Sequence, residues 1–116
     1  MLIPEESLPY FERMIYLPMV LTVLEHDRVK FEQLDVKLPR PYLNLIDGAI
    51  KAAQNDLKET KQYMRQHNNK ITRDNNDGTT TSYTFYFKGY EHHRRYLNVR
   101  LRNRTEELLT VYLAKS

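Results

Sequence analysis

Four histidines and fifteen carboxylates are the side chains here best suited to holding a metal or moving a proton. Their spacing argues against both. His92 and His93 are adjacent, so on a helix they project about 100° apart and cannot easily share a metal. His26 and His67 stand alone, and no His-x-x-x-His pair occurs. Glu106 and Glu107 are neighbours that face different ways, as on a solvated helix face. All three glycines are isolated, which excludes a glycine-rich phosphate loop. The chain has no cysteine, so it has no thiol nucleophile, disulfide framework or cysteine-ligated zinc. With no placed nucleophile, acid–base pair or metal set, the expectation is a protein that is not an enzyme and that carries no metal or cofactor.

The basic and amide side chains form a second set. Net charge is only +3, but it is unevenly spread. Residues 1–36 hold three Lys or Arg against seven Asp or Glu. Residues 37–73 hold eight against three, and residues 74–116 seven against five. An acidic first third and a basic remainder fit a polyanion partner, or a surface whose charges are merely segregated. At helical spacing, Asn44, Lys51, Asn55, Lys58, Gln62 and Arg65 fall on one side. Asparagine suits base edges and lysine suits phosphates. Lys70 and Arg73 extend the positive charge beyond that side. Lys88, Arg94, Arg95 and Arg102 could meet phosphates, or arginines there could pair with Glu91, Glu106 or Glu107. Tyr83, Phe85, Tyr86 and Phe87 could stack on bases, although aromatics on a strand are usually core.

These side chains need elements to position them. With 116 residues there is room for one domain, 1–116, and a single core. Glu5 to Arg28 reads as a helix, with Ser7 as N-cap and Pro9 in the first turn. Phe11, Met14, Ile15, Leu21 and Leu24 recur at helical spacing, and Pro18 should kink or split the helix. Val29 to Leu38 alternates enough for a short strand or an irregular loop. Pro41 opens the clearest helix, which runs to about His67. Its stripe is Leu43, Ile46, Ile50, Ala53, Leu57 and Met64. Asn68 and Asn69 can end it in a left-handed cap.

A hairpin follows. A three-residue turn, Asn76-Asp77-Gly78, sets Ile71 opposite Tyr83 and puts Ile71 on the face of Phe85 and Phe87. Gly78 can supply the left-handed residue this turn needs. The polar run Asp74 to Ser82 should extend past the core into solvent. Tyr90 to Lys115 then reads as one long helix. Tyr90, Leu97, Leu101, Leu108 and Tyr112 lie at near-heptad spacing, which suggests homodimerisation through residues 90–115.

The predicted fold class is α+β, mostly helical and winged-helix-like: helices, a two-stranded β-hairpin wing and a long C-terminal helix. A winged helix normally has two short helices joined by a tight turn before the wing. Gly48 could break the long helix to give them, or the first could lie within Val29 to Leu38. Otherwise the hairpin merely packs on helices. The stretch "YTFYFKGYEHHRRYLNVRLRNRTEELLTVYL" resembles the end of the bacterial replication terminator protein. The step that matches is Phe87, Lys88, Gly89, Tyr90 and Glu91. The resemblance implies a wing followed by a dimerisation helix.

Two functions follow. One is a small dimeric protein that binds double-stranded DNA, such as a transcriptional regulator, through Asn44, Lys51, Asn55, Lys58, Arg65, Lys70 and Arg73. The other is a non-enzymatic protein-binding adaptor, of phage or mobile-element type, with the same fold. Met1 to Glu6 lacks the basic region of a signal peptide. The longest apolar run, Met14 to Leu24, is too short to cross a bilayer. A cytoplasmic location with no membrane partner is the expectation.

Overall fold

The computed structural model describes residues 3–115. Met1, Leu2 and Ser116 lie outside the described residues, and with them the first two residues of the stretch read as lacking a signal peptide. Helix α1 spans Leu8–Glu32. Pro9 sits in its first turn, where its missing N–H has no helical partner to lose. Ser7 does not cap the helix. Its backbone is already helical, at φ −92° and ψ −29°, because the Ser7 and Leu8 amides close a turn onto the Pro4 carbonyl. The Ser7 hydroxyl instead lies 3.1 Å from that of Tyr63. The helix continues unbroken through Pro18. Pro18 is exposed, whereas Leu17, Val20, Leu21 and Leu24 hold the other side in the core. Packing there keeps together a helix that proline alone would divide.

Val29 to Leu38 contains no strand. Residues 29–32 complete α1, and residues 33–39 form an irregular connection. Helix α2, Arg40–Gln66, is continuous through Gly48. The tight turn between two short helices expected of a winged helix is therefore not formed. Leu43, Ile46, Ala53 and Met64 of the predicted stripe are buried, and Ile50 and Leu57 are half-buried. Asn68, at φ +54°, ends the helix in the left-handed conformation. The Asn69 amide donates back to the Met64 carbonyl at 2.8 Å, the longer bond of a Schellman ending.

Strands β1 (Lys70–Asn76), β2 (Thr80–Phe87) and β3 (Tyr90–Leu97) form an antiparallel meander with β2 central. Ile71 pairs with Phe85, not with Tyr83. The register shifts between Arg73 and Asn75, so Asp74 occupies a bulge. Its carboxylate turns there to accept from the Thr72 and Thr84 hydroxyls, at 3.1 and 2.5 Å. Ile71 still packs against the cluster holding Tyr83, Phe85 and Phe87.

The turn consists of Asp77, Gly78 and Thr79, one residue later than predicted, with Gly78 at φ +92°. The Asp77 carboxylate accepts from the Thr79 and Thr80 amides at 2.9 and 2.8 Å. Those bonds, Thr80 first, hold its carboxyl below the usual range. A lowered folded value means the stabilisation is complete above the unfolded carboxyl value of about 4 and fades as pH falls through the folded one. The Tm difference between wild type and Asp77→Ala should therefore be largest near neutrality and shrink below about pH 4. A difference independent of pH, measured by thermal melts, would rule out this charge effect. The run from Asp74 is exposed only as far as Thr79; Thr81 is buried. Its hydroxyl donates to Asn98 at 2.6 Å, which draws it under the start of the last helix.

The C-terminal third departs furthest from expectation. Tyr90–Leu97 is strand rather than helix, so the helix predicted over 90–115 begins only at Asn98. Lys88 and Gly89 both adopt positive φ, 49° and 80°, in a two-residue turn of the kind that matches strand twist. That turn folds β3 back onto β2 before helix α3, Asn98–Ala114, begins. A third strand thus separates the hairpin from the last helix, unlike the wing-then-helix arrangement that the resemblance implied. A Cβ at Gly89 would meet nothing within 4 Å, so only backbone strain opposes substitution. Gly89→Ala should destabilise by about 1–2 kcal/mol in urea unfolding.

The predicted dimer stripe is divided between two elements. Leu101 and Tyr112 are buried in the chain's own core. Leu108 packs against both core clusters. Tyr90 and Leu97 lie exposed on β3. One cluster joins the sheet's inner face to α1 and α3 through Phe11, Ile15, Tyr83, Phe85 and Leu101. The other joins all three helices through Leu17, Val20, Leu24, Ile46, Ala53 and Tyr112. The architecture is α+β and mostly helical.

Candidate nucleic-acid interface

Because α2 packs by Leu43, Ile46, Ala49, Ala53, Thr60 and Met64, its opposite side must face water. Asn44, Lys51, Asn55, Lys58, Gln62 and Arg65 are all exposed there. From Asn44 to Arg65 the helix rises about 32 Å, roughly one turn of duplex. Two of the three acids on α2 are engaged elsewhere. Asp47 binds Arg28 at 2.5 Å, and this bond holds its carboxyl below the usual range. Asp56 accepts from the Tyr112 hydroxyl at 2.5 Å and lies 3.6 Å from Lys115. Burial, then the bond to Asp56, pushes the Tyr112 phenol up. Only Glu59 is left among the basic residues. Among the described residues, Lys51, Lys58, Lys61 and Arg65 form no ion pair. Lys61 was absent from the predicted set, although it follows the same exposed period.

Lys70 and Arg73 do not extend this row together. They are three residues apart on β1, so they fall on opposite faces of the sheet. Lys70 is on the outer face, its ammonium 5.8 Å from the Tyr86 ring. Arg73 is on the inner face. It lines a cavity of about 540 Å³ with Met19, Val23, Leu101, Arg102 and Leu109, beside α1 rather than along the exposed side of α2.

The second basic cluster is dispersed as well. Arg94 stacks over the Phe85 ring on the inner face, 5.3 Å away. Arg95 points outward and donates to the Thr80 hydroxyl at 3.3 Å. Lys88 sits at the β2–β3 turn, 5.5 Å from the Phe87 ring. Arg104 pairs with Glu107 at 2.8 Å. Tyr83, Phe85 and Phe87 are core, which leaves Tyr86 as the aromatic of that group on the outer face.

One polar cluster on the outer face could be mistaken for catalytic machinery. The Thr84 hydroxyl gives its proton to Asp74, so the Nδ1–H of His93, 3.0 Å away, must be the donor to Thr84. Thr84 is only 2% exposed. Its two bonds tie β1, β2 and β3 together, and at this burial its oxygen is out of reach of a substrate. His92, its neighbour, pairs with Phe85 in the sheet, so the two histidines point to opposite faces. Among the described residues, no group of three or more His, Cys, Asp or Glu is placed to hold a metal ion. Within the same residues no helix is long and apolar enough to cross a membrane.

The chain is similar along almost its whole length to a protein of Bacillus subtilis (strain 168), "Uncharacterized protein YhjD". The two are 39% identical over 109 residues, which cover 94% of this chain and 91% of that protein. No solved structure matches. The model of the YhjD protein family matches residues 2–116, and the chain accordingly belongs to the YhjD family.

Proposed function

We propose that this chain is a non-enzymatic DNA-binding protein, of the kind that serves as a small regulator, and that it contacts duplex DNA through the exposed side of α2. The observation that supports this reading is the row of Lys51, Lys58, Lys61 and Arg65, exposed and without internal ion pairs, interleaved with Asn44, Asn55 and Gln62. A rigid helix holds the amides at base-edge height and the cations at phosphate reach. The contact is made by one long helix in place of the helix pair of a winged helix, and the turn Asp77–Thr79, which carries an ionised carboxylate, is not part of it. Fluorescence-anisotropy titration against a generic duplex at two salt concentrations tests the reading. Affinity should fall steeply with salt as counterions are released, with a log–log slope of about −3 for three or four phosphate contacts. Absence of binding at low salt would overturn it.

The second reading, a protein-binding adaptor, is favoured by the apolar side chains left exposed at the far end of the α1–α2 hairpin. It predicts no salt-dependent nucleic-acid binding.

A further inference from the structure

Helix α3 crosses α1 at Met19, where the Thr105 hydroxyl lies 3.7 Å from the sulfur. It reaches α2 at Asp56 through Tyr112 and Lys115. The end of α1, the connection and the start of α2 project about 20 Å beyond that crossing as a two-helix arm. The molecule is correspondingly thin and long, 56 × 32 × 17 Å. Its radius of gyration is 16.3 Å, against about 13 Å for a compact chain of this length. Among the described residues, six of the ten exposed large apolar side chains lie on the arm: Val29, Leu34, Val36, Leu38, Tyr42 and Leu45. Leu38 is 74% exposed.

The connection at the tip has a pattern of its own. Residues 34–38 read Leu-Asp-Val-Lys-Leu and are neither helix nor strand. Among the described residues, none hydrogen-bonds to the backbone of residues 35–38. The chain bends at Leu34 and Lys37, so pairing straightens it; its unpaired N–H and C=O groups, flanked by apolar side chains, then offer another chain what a sheet edge offers. We propose that a second copy of this chain docks here, its residues 34–38 antiparallel to the first and centred on Val36. That register sets Leu34 against the partner's Leu38, Asp35 against the partner's Lys37, and Val36 against the partner's Val36. Every contact is self-complementary, as a two-fold interface requires.

The charge around the tip selects the same occupant. Residues 25–47 carry five acids and four bases, while the rest of the chain has an excess of four bases. A nearly neutral patch bearing both signs suits a like copy better than a strongly charged partner. This inference does not depend on DNA binding, and it replaces the C-terminal helix as the pairing surface.

Sedimentation equilibrium of the full chain tests it, with Asp35→Lys, Lys37→Asp and the double exchange run alongside. Wild type should dimerise. Each single change should raise the dimer dissociation constant by roughly tenfold or more, because like charges then meet twice across the two-fold axis. The double exchange should restore association. A wild type that stays monomeric overturns the proposal, as do single variants that associate normally or a double exchange that fails to recover. Both side chains are exposed, and circular dichroism verifies that the variants keep their fold. The cysteine-free background permits a second readout. Val36→Cys should form a disulfide-linked dimer under mild oxidation, and Asn55→Cys should not. Equal cross-linking of the two would also overturn the proposal.

Discussion

Phe85→Ala should lower the free energy of unfolding by about 3–5 kcal/mol, read as a shift in the urea midpoint. Phe85 is completely buried on the central strand of the sheet. Its ring stacks on Phe11 of α1 with centroids 4.8 Å apart, and the Arg94 guanidinium covers it from β3. Truncation therefore removes one large transfer contribution and leaves a cavity walled by α1 and two strands. A small domain has a total stability of only about 5–15 kcal/mol, so the variant should be marginally folded at 37 °C. A loss under 1 kcal/mol would mean that the sheet does not pack on α1 as described. Tyr86, the next residue, faces the other way and is only half-buried. Tyr86→Ala should cost much less, and that contrast tests the register of β2 as well as its burial.

The second large effect concerns binding. If α2 meets duplex DNA, Lys51→Glu with Lys58→Glu should weaken binding on the order of 100-fold at low salt and flatten the salt dependence. Both side chains are exposed and unpaired, so the double variant should keep the wild-type unfolding midpoint. Arg73→Ala supplies the contrast. It removes a cation of the same basic segment, but one on the inner sheet face beside Met19 and Val23. Affinity should be unchanged. Equal losses from Lys58 and Arg73 variants would indicate a diffuse electrostatic effect instead of a face, and no loss from the double reversal would rule out α2 as the contact.

The helical stripe of α2 and the polar side opposite it were legible because both follow from a period of 3.6 residues and need no knowledge of the rest of the chain. Asn68 and Gly78 were legible for a similar reason: each is suited to the left-handed conformation that a helix end or a tight turn demands. The site was less legible. Asn44, Lys51, Asn55, Lys58 and Arg65 share one helix face, as periodicity says they must. Lys70 and Arg73 were grouped with them by proximity in sequence, and the strand's period of two separates them.

The C-terminal third shows where local reading fails. Tyr90, Leu97, Leu101, Leu108 and Tyr112 fit a helical repeat, yet Tyr90, His92, Arg94 and Tyr96 fit a strand alternation equally well. The deciding residues were Lys88 and Gly89, whose left-handed backbone returns the chain onto β2. Lysine is a poor signal for that conformation. The preference for strand comes from eight paired positions on the neighbouring strand β2, a hairpin pairing that the periodicity of residues 90–97 alone does not reveal.

By itself, then, the sequence determined the absence of cysteine chemistry, the α+β class, the extent of α2 with its apolar and polar sides, and the presence of a turn at Gly78. These depend on residue type and local period. Only the tertiary structure decided that α1 runs through Pro18, that α2 is unbroken at Gly48, that β3 exists, and that Leu101 and Tyr112 serve the chain's own core. For α1, α2 and the two core residues of α3 the outcome is set by burial against other elements, which outweighs the fraction of a kcal/mol to few kcal/mol that local propensity contributes at any one residue; for β3, which buries no residue, it is set by backbone pairing with β2.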